Sequence, residues 1–176
     1  MISLRHHIVA WPVVAMLAGC ATPSVRTAGD ASTLNVVAVS VDTSAMEVAV
    51  EGRTSPVTKE KLAADLTGYL TSSLAEKSDP DGKPVNVAIV MSKVRLAPPI
   101  ERVVAGTSTA KGTVTVTEVG TDNIVVPTTE VTGNTENFRF VSVIGLATTV
   151  TVEKDYRGTL KGFATTVRTA LFGPEQ

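Results

Sequence analysis

Between residues 103 and 119 the chain alternates in character, with Thr113, Thr115 and Thr117 opposite Val114, Val116 and Val119. Side chains on a strand point to opposite faces in turn, so this pattern calls for a strand with one dry face and one wet face. Such strands belong to antiparallel sheets covered on one side only. The chain is therefore limited to folds in which a sheet lies against a second layer, and its other segments are read for that layer.

Leu34 to Val41 is apolar at most positions and reads as a first strand, central and covered on both faces. Met46 to Val50 extends it or forms a short partner. Ser55-Pro56 is expected to open a helix, because serine caps and proline suits the first helical position. Leu62, Leu66, Tyr69, Leu70 and Leu74 then recur at helical spacing, to about Lys77. Residues 78 to 84 (Ser-Asp-Pro-Asp-Gly-Lys-Pro) have turn composition. Val85 to Leu96 is a long strand with Val85, Val87, Ile89 and Met91 on one face, and Pro98-Pro99 interrupts the chain after it. Residues 120 to 123 form a hairpin turn, and Ile124 to Val131 returns as the next strand. Phe138 to Val152 reads as a further strand or as a strand followed by a loop around Gly145. A last helix runs from about Lys154 to Phe172, with Tyr156, Leu160, Phe163, Val167 and Leu171 on one stripe, and Gly173-Pro174 ends it. The expected fold is α+β, a two-layer domain over residues 34 to 173, with a mainly antiparallel sheet and two amphipathic helices on one face.

Composition agrees. Hydrophobic residues make up 43% of the 176, enough to bury a core, while aromatics are only 4% and valine and threonine are abundant. Stiff β-branched side chains suit a pleated surface. The formal net charge of -1 shows no electrostatic footprint for nucleic acid. The rarest residues are more telling. His6, His7, Trp11 and Cys20 are the chain's only histidines, tryptophan and cysteine, and all fall within its first twenty residues.

Those twenty residues have three parts. Arg5, His6 and His7 form a short polar region with positive charge, and Ile8 to Met16 is apolar apart from one proline. The apolar run is far shorter than the roughly 20 residues a membrane-spanning helix needs, so a cleaved signal fits better than a permanent span. Leu17-Ala18-Gly19-Cys20 follows, and this tetrapeptide resembles the lipobox of bacterial lipoproteins. The resemblance implies a diacylglyceryl group on the Cys20 thiol, signal-peptidase cleavage between Gly19 and Cys20, and acylation of the new amino terminus by a chain such as palmitate. It also implies a signal peptide over residues 1 to 19. Two or three acyl chains hold stably where one holds only marginally. Ala21 is not the aspartate that marks inner-membrane retention in that family, which points to the periplasmic face of an outer membrane. Residues 21 to 33 are small and polar without apolar period and read as a tether, so that residues 20 to 33 form the lipidated N-terminus and its spacer. The layout of residues 34 to 172 resembles that of small envelope lipoproteins of unknown function.

Cleavage before Cys20 would leave a mature chain without histidine, which removes Ser-His-Asp and Cys-His catalysis and histidine-based zinc sites. Asp79, Asp81 and Gly82 suggest a calcium loop, but the downstream ligand series is absent and a plain turn is expected. Gly106 to Thr113 superficially suggests a phosphate loop, yet Lys111 precedes Gly112 instead of following it. Glu51, Glu60, Asp65, Glu118 and Glu130 fall on helix exteriors, strand ends or turns and are expected to be solvated. Lys93, Arg95, Arg102 and Lys111 likewise read as a solvated face. No catalytic residue, metal ligand or cofactor is expected.

These readings lead to a non-enzymatic envelope lipoprotein, an accessory or interaction module held on the membrane by its lipid and meeting another envelope protein. The alternative is a binding module for a lipid or other apolar ligand, held in an enclosed cavity between sheet and helices. A hydrolase using carboxylates would require two acids converging in a cleft.

Overall fold

The computed structural model describes residues 34–53, 55–98, 107–121, 123–135 and 151–174. Among them are four strands and two long helices: β1 (Leu34–Asp42), α1 (Lys59–Ala75), β2 (Lys83–Arg95), β3 (Thr109–Glu118), β4 (Ile124–Asn134) and α2 (Val152–Phe172). The strands lie in sequence order in one mixed sheet. β1 and β2 are parallel, joined through α1, while β2, β3 and β4 form an antiparallel meander. This is the α+β arrangement expected from the pattern.

One face of the sheet is dry. Val85, Val87, Ile89 and Met91 on β2 and Val114 and Val116 on β3 are buried, while their neighbours Ala88, Val90 and Ser92 are exposed. The stripe Leu62, Leu66, Leu70 and Leu74 of α1 and the stripe Tyr156, Leu160, Phe163, Val167 and Leu171 of α2 join them in one core. Leu66, Leu70 and Phe163 are fully enclosed, and each buried side chain of this size contributes about 1.5–3 kcal/mol relative to exposure. The antiparallel alternation ends at Glu118. Val119 lies beyond the strand and is exposed, so it does not share the face of Val114 and Val116.

Two expectations about β1 need correction. The strand lies at the sheet edge, not at its centre. Its two-sided apolar look comes from a bulge: Val36 pairs with Val85, but Ala38 pairs with Asn86, so one extra residue, Val37, enters between them. The inward parity therefore switches from Leu34 and Val36 to Val39 and Val41, which pack against the core, while Val37 is 58% exposed. Met46 to Val50 forms no strand. Met46 and Ala49 are buried within a loop, and only Glu51 makes a bridge, to Arg95.

Helix α1 begins at Lys59, later than Ser55-Pro56 suggested. Thr58 is its cap, its hydroxyl accepting from the Lys61 N–H at 3.2 Å. Helix α2 begins two residues before the expected Lys154, capped by Thr151, whose hydroxyl accepts from the Lys154 N–H at 3.2 Å. It stops at Gly173, which has a φ of 83° that favours glycine. Of the strand expected over Phe138 to Val152, residues 138–150 lie outside the described residues, as do Arg102 and Leu17 to Cys20, while Thr151 and Val152 are the cap and first residue of α2.

The chain direction divides the molecule into two ends. Leu34, the turn at residues 76–82, the end of β3, the start of β4 and Gly173 lie at one, which we call the turn end. The last residues of β1, β2 and β4 and the N-termini of both helices lie at the other, the helix-start end. The turn end is stitched to β1 by Asp79 N–H donating to the Leu34 carbonyl at 2.9 Å and Val36 N–H donating to Ser78 Oγ at 2.8 Å. These bonds blunt part of the outer edge of β1.

Candidate functional site: a cleft between the helices

The two helices run parallel and side by side. Near their starts the Tyr156 hydroxyl donates to Asp65 at 3.0 Å, and near their ends Arg168 pairs with Glu76 at 2.6 Å. Between them, away from the leucine stripe, is a cleft of about 680 Å³. Its lining runs from Ser55, Pro56 and Val57, ahead of α1, along that helix to Ser72, with Val152, Glu153, Tyr156 and Arg157 of α2 opposite. Its volume lies within the usual range for small-ligand sites.

The wall given by α1 carries small residues at four-residue spacing, Ala64, Gly68 and Ser72. Gly68 stands out energetically. A glycine inside a helix costs about 1 kcal/mol relative to alanine, and a Cβ built on Gly68 meets nothing within 4 Å. No internal packing therefore requires this glycine. It bares the helix backbone to the cleft.

The polar groups of the cleft are mutually engaged. Lys61 Nζ donates to both oxygens of Asp65, at 3.0 and 2.9 Å, and Asp65 also accepts from Tyr156. Burial, then the hydrogen bond to Asp65, pushes the Tyr156 pKa above its ordinary value near 10, so at neutral pH the hydroxyl is held as a donor. Glu153 pairs with Arg157 one turn on, at 2.6 Å, with both side chains mostly in solvent. Exposed pairs of this kind contribute about 1 kcal/mol or less. A shallower hollow of about 430 Å³ continues past Tyr69, Glu153 and Arg157 toward Lys154 and Lys161. Asp65 and Glu153 thus line the same cleft, each held by a cation one turn away on its own helix.

A second polar group lies inside the helix-start end. The Asp155 side chain is fully buried (0% exposed), in the first turn of α2. It accepts from Ser108 Oγ at 2.8 Å and from Thr135 Oγ1 at 3.4 Å, with the Arg53 guanidinium 3.8 Å away. Ser108 Oγ in turn accepts from the Ala97 N–H at 2.9 Å, and Thr135 Oγ1 lies 3.0 Å from Thr159 Oγ1. One carboxylate thereby joins the loop after β1, the ends of β2 and β4, the start of β3 and the start of α2. A carboxylate near a helix N-terminus is also favoured by the helix dipole.

The acids and bases read from sequence are dispersed. Glu51 pairs with Lys93 at 2.7 Å and Glu118 with Lys83 at 3.3 Å, while Glu60 and Glu130 are exposed. Lys111 is exposed on β3 opposite Lys93, and Arg95 ends β2. Asp79 closes a turn on itself, its Oδ1 accepting from the Asp81 N–H at 3.0 Å. Among the described residues no three His, Cys, Asp or Glu side chains gather as a metal site, and no helix is long and apolar enough to cross a membrane. Of the candidates singled out in the sequence only Asp65 belongs to the cleft. Asp155, Arg53 and Thr135 were not singled out, and Ser108 entered only as part of the Gly106 to Thr113 run.

Comparison of the chain with protein-family models, with curated proteins and with solved structures found no match.

Proposed function

We propose that this chain is a non-enzymatic envelope lipoprotein, anchored through lipid on Cys20 to the periplasmic face of the outer membrane and serving there as an accessory or interaction module. The observation that carries the reading is the tetrapeptide Leu17-Ala18-Gly19-Cys20, placed after a charged region and a short apolar run. β1 begins at Leu34, and in this reading residues 20–33 are the spacer between anchor and domain. The cleft between α1 and α2 is the surface that supports a partner-binding role, with Gly68 open to an incoming group.

A second reading, a binding module for a lipid or other apolar ligand, is favoured by the size of the same cleft. It takes a different form from the cavity expected between sheet and helices. That space holds the leucine, valine and phenylalanine core, whereas the cleft lies between the helices and is edged by ion pairs.

Intact mass and membrane fractionation of the native protein beside Cys20→Ala test the main reading. The native chain should lose residues 1–19, gain diacylglyceryl and acyl mass, and pellet with outer membrane, and the variant should not mature. A native protein that is soluble and unmodified at Cys20 refutes the anchor.

A further inference from the structure

Building on the second reading above, a lipid or other apolar ligand in the cleft, we propose that the cleft and the hollow beside it form one site for a single-chain amphiphile with an anionic head. The acyl chain lies along α1. The head, a carboxylate or phosphate, is held by Lys154, Arg157 and Lys161 on α2.

Two spaces of unlike character adjoin. The cleft of about 680 Å³ and the hollow of about 430 Å³ share Tyr69, Glu153 and Arg157 in their walls. The cleft is mostly apolar. Pro56 and Val57 precede the helix, Ala64 and Gly68 follow along it, and Val152 and Tyr156 stand opposite. Asp65, its carboxylate on α1, is already met by Lys61 and Tyr156. The wall from Lys61 to Ser72 covers about 16 Å of helix, room for an extended chain of medium length. The open space over Gly68 lies within that length. A membrane phospholipid with two long acyl chains is larger than this cleft, whereas one chain suits a small-ligand site of its size.

The hollow is basic. Lys154, Arg157 and Lys161 line it beside a single carboxylate, Glu153. The positive excess is local, because the whole chain has a formal net charge of -1. The three cations stand three and four residues apart on the exposed side of α2, where like charges repel. An anion between them removes that repulsion. A guanidinium meets a carboxylate or phosphate with two parallel N–H bonds. The present partner of Arg157, Glu153, is mostly in solvent, and an exposed pair contributes little, so it yields to a ligand anion. The head thus falls in the hollow and the chain in the cleft, with Tyr69 at their junction.

The test uses the full lipoprotein in phosphatidylcholine vesicles. Laurate and dodecyl phosphate, each with a photoreactive diazirine in the chain, are compared with the glyceryl ester of the same diazirine-laurate, which keeps the chain and lacks the charge. Irradiation and peptide mass mapping read where each probe reacts. The expected result is adducts of the anionic probes on the α1 peptide that carries Ala64, Gly68 and Ser72, and several-fold fewer from the ester. Gly68→Leu fills the open space with a good helix former. That variant, and the combination of Lys154→Gln, Arg157→Gln and Lys161→Gln, should each reduce the adducts several-fold with a urea midpoint close to the parent's. Equal labelling by the ester overturns the anionic head and leaves an apolar ligand in the cleft standing. Adducts that map elsewhere, or that Gly68→Leu leaves unchanged, overturn the amphiphile and the second reading together, and the cleft is left to the partner of the main reading.

Discussion

The hydroxyl of Tyr156 on α2 donates a 3.0 Å hydrogen bond to the carboxylate of Asp65 on α1, ninety-one positions earlier in the chain. Arg168 and Glu76, ninety-two positions apart, repeat almost the same offset three turns on. The two helices are thus locked in parallel register by one pair at each end. Tyr156→Phe removes the upper lock while keeping the buried ring. A hydrogen bond to a charged acceptor contributes about 1.5–3 kcal/mol, but Asp65 keeps its two contacts with Lys61. The expected loss is therefore about 1 kcal/mol, read as a lower urea midpoint with an unchanged slope. A variant as stable as the parent would show that the bond contributes nothing net.

The same hydroxyl sets an alkaline signature. Its pKa is raised in the folded state above the ordinary value near 10, chiefly by burial and then by Asp65. The folded protein therefore holds this proton at pH values where the unfolded chain releases it. That contribution is complete below pH 10 and is lost as pH rises above it. Between pH 10 and 12 the parent should lose stability more steeply than Tyr156→Phe, since all other titrating groups are common to both. Parallel curves of stability against pH over that window would contradict the assignment.

Asp155 is the residue on which the helix-start end depends most. Replacing it by alanine leaves Ser108 and Thr135 without the acceptor they share and the Arg53 guanidinium, 18% exposed, without its nearby carboxylate. Breaking a buried charged pair from one side costs about 3–5 kcal/mol, and the partial exposure of Arg53 points to the lower part of that range. Asp155→Asn keeps an acceptor oxygen and should cost less. Chemical denaturation of both variants checks the order, and an alanine variant within about 0.5 kcal/mol of the parent, the size of an ordinary surface substitution, would mean the network is dispensable.

Much of this architecture is legible in the residue pattern where one periodicity governs. Val85, Val87, Ile89 and Met91 alternate on β2, and Tyr156, Leu160, Phe163, Val167 and Leu171 follow the α2 stripe, because each element buries a single face. Legibility fails where periodicity breaks or where partners are distant in sequence. The extra residue Val37 switches the parity of β1 and makes an edge strand look two-sided. Ser55 before Pro56 reads as the cap by composition, whereas the Lys61 N–H is accepted three residues on, by Thr58. Asp155 reads as an ordinary acid in a first helical turn because Arg53, Ser108 and Thr135 come from three separate segments. The cleft did leave a trace, the small residues Ala64, Gly68 and Ser72 beside the leucine stripe, but nothing in their spacing says that the adjoining space is empty.

Gly133 and Gly68 should respond oppositely to alanine, and the contrast tests both the helix-to-sheet packing and the open cleft. The backbone of Phe163 on α2 occupies the place where a Cβ on Gly133 would go, so β4 and α2 approach this closely only through glycine. Gly133→Ala must push the helix from the sheet beside a fully buried aromatic ring, at a cost of about 3 kcal/mol or more. Gly68→Ala meets open space and replaces a poor helix former, so it should raise stability by about 0.5–1 kcal/mol. Thermal and urea unfolding of the two variants beside the parent reads both effects. If Gly68→Ala stabilises the free chain yet weakens its hold on an envelope partner in a cross-linking assay, the cleft is where that partner binds. If it stabilises and leaves partner capture intact, the partner meets another surface.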